Sequence, residues 1–282
     1  MSQSFHLFTS LRYDPSLTHI PDRNLSHVAG WNSSTSSPFY MLDLHRDRVL
    51  RAARHWNWHR AVEALEGDAG LRRLADFLAA SLLPPRGEEE TQPLRVKVTV
   101  SEDGVLGCET STATQTPLEN LFPVRLPEPG TVAGGGDGGG SGLPSKEVVY
   151  EVVLDPARTE RSEYTHFKTS QRMWYDEARQ RAGIKLGDLK EVLIVGEDGE
   201  VMEGSTTTPY FWRNGRWVTP PVPSRYSSAD GSGGNDGTTR RWALQRGIAV
   251  EEAVRADSAQ DGEEVWLSNG VRGFMFGRIR LG

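Results

Sequence analysis

The sequence predicts an α+β protein built as two lobes, a smaller N-terminal α/β lobe and a larger C-terminal lobe rich in strands. Three observations lead there. At 282 residues the chain is long for one hydrophobic core, and large chains tend to split into separate packed units. A Gly- and Pro-rich stretch over residues 117–145 divides the chain into a segment 1–116 and a segment 146–282. Two helical patterns and one hairpin precede that stretch, and a meander of hairpins follows it.

In the first lobe, Phe5 to Tyr13 reads as a strand, followed by a polar, turn-rich stretch through Ser37. Asp43 is placed to cap a helix whose apolar face is Val49, Ala52, Ala53 and Trp56. A second helix covers Leu71 to Leu82 and stops at Pro84-Pro85. Leu94 to Val100 alternates with period two, as a half-buried strand does, and Asp103-Gly104 turns the chain into its partner, Val105 to Thr112.

The dividing stretch contains Gly134-Gly135-Gly136-Asp137-Gly138-Gly139-Gly140-Ser141-Gly142, a run that buries nothing and has high backbone entropy, as a flexible linker does. The alternative is a phosphate-binding loop, but no strand runs into these glycines and no helix with Lys or Ser/Thr follows them.

The second lobe opens with a strand at Val148 to Leu154. A helix is expected from just after Lys168 to about Ala182, with Gly183 as its stop. Asp198-Gly199 and Asn214-Gly215 each separate two apolar runs, the strongest short signal for a hairpin. Ser224 to Asp236 reads as a second loose loop, leading to a short helix from Gly237 through Leu244. Strands at Glu264 to Leu267 and Phe274 to Ile279 close the chain.

Composition narrows the function classes. Hydrophobic content of 37% and charged content of 25% describe a soluble globular protein. A net charge of -6 argues against a nucleic-acid partner. No apolar run approaches the roughly 18 residues that span a bilayer, no secretory signal is visible at the start, and Cys108 has no cysteine partner. The expectation is a cytoplasmic protein without a membrane or nucleic-acid partner. The histidines show no metal-ligand spacing, and His45, His55 and His59 read as surface or packing residues.

Four polar stations remain. Lys168 sits in His166-Phe167-Lys168-Thr169-Ser170-Gln171-Arg172, and Glu203 in Val201-Met202-Glu203-Gly204. Gly237-Thr238-Thr239-Arg240 and Ser268-Asn269-Gly270-Val271-Arg272-Gly273 follow. An amine, a carboxylate and two small-residue loops rich in N–H donors suit pyridoxal 5'-phosphate: the amine forms a Schiff base, the carboxylate keeps the pyridine nitrogen protonated, and the loops cradle the phosphate. The bland readings stand beside this one. Lys168 is then a solvated lysine at a helix start, Glu203 an outward strand residue whose face alternation does not settle, and Gly237 to Thr239 an ordinary helix cap.

These runs resemble the class IV aminotransferase family, the fold type IV enzymes. Lys168 to Arg172 is similar to the family's lysine run, and Gly199-Glu200-Val201-Met202-Glu203-Gly204 to its glutamate strand. Thr219-Pro220-Pro221, Gly237 to Arg240 and Ser268 to Gly273 follow in the family's order. The resemblance implies a two-lobed fold with the cofactor between the lobes, a homodimer, and a small-molecule amine substrate. It implies that Lys168 carries the Schiff base, Glu203 meets the pyridine nitrogen, and Arg48, Thr238, Thr239, Ser268, Asn269 and Gly270 hold the cofactor. Many relatives have a hydroxyl where Gly270 stands. Arg12 matches a position near the active-site mouth that holds a substrate carboxylate, with structural pairing inside the lobe as the alternative; Arg46, Arg51 and Arg54 read as a solvated helix face.

Two details point to the lyase branch. Branched-chain aminotransferases tend to carry a tyrosine five residues after the lysine, where this chain has Met173, and the tail Gly262 to Phe274 looks like that of fungal-type aminodeoxychorismate lyases. The implied reaction takes 4-amino-4-deoxychorismate to 4-aminobenzoate and pyruvate. The alternatives are a class IV aminotransferase acting on D-amino acids or R-amines with pyruvate, and a non-catalytic binding protein.

Overall fold

A computed structural model describes residues 5–23, 25–82, 92–131 and 142–282. The glycine run 134–141 lies outside the described residues. The chain divides into two compact units, Met1–Gln115 with Phe167–Gln171, and Thr116–His166 with Arg172–Gly282.

The first unit holds a three-stranded antiparallel sheet in the order β1 (Leu7–Tyr13), β2 (Leu94–Val100), β3 (Leu106–Thr112). The alternation in β2 puts Leu94, Val96, Val98 and Val100 inward, where Val96 and Val98 meet Leu11, Phe39, Leu42, Leu74 and Leu78. Helices Leu42–His55, His59–Leu65 and Gly67–Ser81 complete the unit. Asp43 does not cap the first of these. Met41 is its N-cap in left-handed conformation, and the Asp43 carboxylate accepts the Trp31 backbone N–H at 3.2 Å instead. Nor is Arg46 solvated: its guanidinium donates to the carbonyls of Leu65 and Gly67, where the second helix ends and the third begins.

The second unit is built on an eight-stranded sheet. Its strands are β4 (Val149–Thr159), β5 (Lys190–Gly196), β6 (Val201–Gly204), β7 (Thr208–Arg213), β8 (Arg216–Thr219), β9 (Val250–Glu251), β10 (Glu264–Asn269) and β11 (Gly273–Ile279). They lie in the order β6-β5-β4-β11-β10-β7-β8-β9. The β4 strand pairs in parallel with both β5 and β11. Leu193 and Val195 of β5 face one core, while Val192 and Ile194 face another beneath helix Met173–Arg181. Burial on both faces explains why β5 reads as an unbroken apolar run.

The three hairpins expected from Asp-Gly and Asn-Gly form. Asn214 (φ 53°) and Gly215 (φ 75°) both adopt left-handed conformation between β7 and β8, as a two-residue turn matched to strand twist requires. Gly273 (φ 66°), after the β10–β11 turn, leaves no room for a side chain, since a Cβ there would lie 2.2 Å from the Asn120 carbonyl oxygen.

Parts of two stretches expected to be loose are packed. Residues 118–121 form a short helix, and Leu121, Phe122 and Leu126 are buried. Asn120 Nδ2 donates to the Phe274 carbonyl (2.8 Å), and Trp217 Nε1 to that of Leu126 (3.1 Å). In the loop 224–236, Ser232 is buried, its N–H bonded to the Pro221 carbonyl and its hydroxyl to that of Met202.

Candidate active site

Residues 167–171 lie in the first unit because their backbone extends along β1. Phe8 N–H donates to the Lys168 carbonyl (3.1 Å), and Ser170 N–H to that of His6 (2.9 Å). The helix expected directly after Lys168 therefore starts later, at Met173. Phe167 is buried against the rings of His55 and Trp56, with centroids 4.6 and 5.1 Å away. That anchor fixes the backbone at its neighbour Lys168, which is half-buried with Nζ 4.9 Å from the centre of the Phe8 ring.

The same unit carries Arg48 on helix Leu42–His55. Its Nη2 donates to the Thr9 hydroxyl, which lies 2.6 Å from Nδ1 of His45. Thr9 and His45 are buried, and Arg48 is nearly so. Burial, then the charges of Arg48 and Lys168, hold the His45 imidazole well below its ordinary pKa, so the ring is neutral. Reading His45 as surface or packing missed its place in this cluster. The signal was present, since His45, Arg48, Val49 and Ala52 fall on one stripe at i, i+3, i+4 and i+7.

Arg12 is fully buried on β1. Its Nε meets Asp14 Oδ2 at 2.8 Å and its Nη1 donates to the Thr114 carbonyl at 2.9 Å. This is the structural pairing weighed for Arg12 in the sequence.

In the second unit Glu203 stands on β6 opposite Ile194. Its Oε1 accepts the Tyr175 hydroxyl and, at 3.1 Å, the Asn235 backbone N–H. Tyr175 is a further member of this candidate site, one that sequence reasoning missed. Burial, then Glu203, push its pKa well above the ordinary tyrosine value, so it remains a donor. The turn after Glu203 is locked by Glu191, a buried carboxylate that accepts from the hydroxyls of Ser205 (2.5 Å) and Thr206 (2.7 Å).

Gly237 is the N-cap of helix Thr238–Gln245, and a Cβ on it would sit 2.8 Å from Thr208 Oγ1. Thr238 and Thr239 are buried. Thr239 Oγ1 lies 2.8 Å from Ser268 Oγ, which lies 2.9 Å from the Tyr210 hydroxyl, a buried chain of three hydroxyl groups. Asn269 Oδ1 accepts the N–H groups of Val271 and Arg272 and holds its own turn, while Gly270 is buried within that turn.

Of the residues singled out in the sequence, the structure thus groups Arg48 with Lys168 in the first unit. Thr239 and Ser268 meet in the second, which also holds Glu203, Thr238, Asn269 and Gly270.

Comparison with known proteins agrees with this fold. A protein of Schizosaccharomyces pombe, provisionally named an aminodeoxychorismate lyase, is 30% identical over 128 residues, 44% of this chain and 52% of that protein. The aminodeoxychorismate lyase of Saccharomyces cerevisiae is 29% identical over 147 residues, 46% of this chain and 37% of that protein. The matches thus span about half the length of the first relative and less of the second. In fold, the crystal structure of a Mesorhizobium loti protein, provisionally named an amino-acid aminotransferase, matches with a TM-score of 0.62. That match covers 98% of this chain and 100% of that one at 18% identity. The family model for amino-transferase class IV matches residues 35–278, and on that extent the chain belongs to the class IV aminotransferase family.

Proposed function

We propose that this chain is a pyridoxal 5'-phosphate-dependent lyase that converts 4-amino-4-deoxychorismate to 4-aminobenzoate and pyruvate. The observation that carries the choice of reaction is the likeness to two yeast proteins named for that lyase.

The residues present fit the cofactor. Its aldehyde calls for an amine, and Lys168 offers one, half-buried beside an aromatic ring. Its ring nitrogen calls for an ionised carboxylate, and two donors on Oε1 of Glu203 favour that form. Its phosphate calls for a cation and N–H or O–H donors. In this reading Arg48, the Gly237-Thr238-Thr239 helix start with no side chain on its cap, and the Ser268 hydroxyl would provide them.

Bound there, the cofactor supplies an electron sink for charge developing on the substrate carbon that bears nitrogen. Lys168 Nζ takes the proton from that carbon and returns a proton as the enolpyruvyl group leaves as pyruvate. Glu203 holds a proton at the pyridine nitrogen, with Tyr175 and Asn235 fixing its carboxylate. Arg48 offsets the phosphate charge. Aromatisation of the substrate ring drives the reaction forward. A homodimer and a cytoplasmic location complete the proposal; among the described residues no helix is long and apolar enough to cross a membrane.

The test is to supply cofactor-loaded protein with 4-amino-4-deoxychorismate, made from chorismate and glutamine by an aminodeoxychorismate synthase. Equal amounts of 4-aminobenzoate and pyruvate, with no keto acid added, are expected. No 4-aminobenzoate, together with keto-acid-dependent turnover of D-amino acids or R-amines, would assign an aminotransferase instead.

A further inference from the structure

The Thr9 hydroxyl lies between a permanent donor and a ring nitrogen. Arg48 Nη2 donates to Thr9 Oγ1, which lies 2.6 Å from His45 Nδ1. A hydroxyl carries one proton, and Thr9 is buried with His45 Nδ1 as the acceptor it meets among the described residues. An Nδ1–H donating to the second Oγ1 lone pair would leave this buried proton without an acceptor among the described residues, so the geometry favours the Thr9 proton on His45 and Nδ1 as the bare, accepting nitrogen. The ring carries its proton on Nε2. Arg48 Nη2 itself stands 3.5 Å from Nδ1, at the edge of a direct contact.

The neighbours hold the ring in this state. His45 is fully buried, Arg48 faces it from its own helix, and Lys168 from the segment beside β1, both cationic. Charging the imidazole would place a third cation in the cluster and turn Nδ1 from acceptor to donor. The guanidinium is thus oriented through a directional chain, Arg48 N–H to Thr9 O–H to His45 Nδ1.

We propose that His45 is a positioning residue: as a neutral acceptor it fixes the Thr9 hydroxyl, and through it sets the Arg48 guanidinium for an anionic phosphate. This rests on the reading of Arg48 as a phosphate partner of the cofactor.

The test uses apoprotein titrated with pyridoxal 5'-phosphate and, separately, with pyridoxal, which lacks the phosphate. Three variants are compared. His45→Leu removes the acceptor, His45→Asn retains an oxygen acceptor near the place of Nδ1, and Arg48→Met removes the cation. His45→Leu is expected to weaken pyridoxal 5'-phosphate binding roughly tenfold or more, as for loss of order in one charged hydrogen bond. Binding of pyridoxal should change little, and His45→Asn should recover most of the loss.

If Arg48→Met weakens phosphate-dependent binding and His45→Leu does not, the His45 proposal fails while the Arg48 reading stands. If Arg48→Met leaves the preference for the phosphate ester intact, the Arg48 reading itself fails. Equal weakening of both ligands by His45→Leu, with no recovery in His45→Asn, would make His45 a packing residue and overturn the proposal. Nitrogen-15 NMR of the wild-type apoprotein decides the same point without a variant: a neutral His45 ring protonated on Nε2 is expected, and a proton on Nδ1 near neutral pH would overturn it.

Discussion

The Tyr175 hydroxyl donates to Oε1 of Glu203, the same oxygen that accepts the Asn235 N–H. The tyrosine reaches it from helix Met173–Arg181, held in the core beside Val192, Ile194 and Met202. The Arg172 guanidinium lies 4.6 Å from the centre of its ring. The carboxylate is therefore aimed at once from the buried face of a helix and from a loop.

Removing the hydroxyl should separate this role from packing. Tyr175→Phe keeps the ring and leaves Glu203 with one donor fewer on Oε1. Folding stability should fall by about 1 kcal/mol, the usual worth of one hydrogen bond. Turnover at saturating cofactor should fall roughly tenfold, a barrier change of about 1.4 kcal/mol. Chemical denaturation and steady-state kinetics check the two quantities, and an unchanged kcat would confine Tyr175 to a structural part.

Glu203→Gln should retain the cofactor and slow catalysis roughly a hundredfold or more, about 2.7 kcal/mol in the barrier. A neutral amide cannot hold the pyridine nitrogen protonated, whereas the proposed phosphate partners Arg48, Thr238 and Thr239 are untouched. Single-turnover rates on cofactor-saturated protein check this. A rate within about threefold of wild type, roughly 0.7 kcal/mol, would return Glu203 to the status of a strand carboxylate.

Gly273→Ala should destabilise the protein by more than about 2 kcal/mol, combining left-handed strain with a backbone clash. The added Cβ meets the carbonyl of Asn120, whose side chain also holds the Phe274 carbonyl. Denaturation midpoints would reveal the loss, and a shift near zero would mean that residues 117–122 move aside freely.

His45 also predicts a pH dependence. Its folded pKa lies below the ordinary 6.5, so the unfolded chain takes up the proton first. Its contribution to stability is complete above about pH 6.5 and declines as pH falls below that value. His45→Asn removes this one titration, and its stability should fall less steeply than wild type between about pH 6.5 and 5. Parallel curves would show that the ring titrates normally in the folded state.

Local chemistry was legible in the sequence; long-range pairing was not. Asn214-Gly215 and Asp198-Gly199 mark their hairpins because the turn geometry demands those residues. Lys168 and Glu203 stood out through their neighbours and order. The extension of Lys168 to Ser170 along β1 depends on His6 and Phe8, far away in the chain, and nothing local announces it. Residues 118–126 looked loose because prolines surround them, yet Leu121, Phe122 and Leu126 carried enough apolar surface to pack. His45 reads as a surface or packing residue because its spacing suggests no ligand, although its helical position puts it on the buried stripe with Arg48.

The central claim is that Lys168 is the amine that holds the cofactor. Two of its rivals are engaged elsewhere, with Lys146 paired to Glu264 at 2.7 Å and Lys190 to Glu151 at 2.8 Å. The most direct measurement is borohydride reduction of the cofactor-loaded protein followed by peptide mapping. A pyridoxyl group on Lys168, absent from a folded Lys168→Ala variant, is the predicted result. A pyridoxyl group on Lys146, Lys185, Lys190 or any other lysine, or on none, would contradict it.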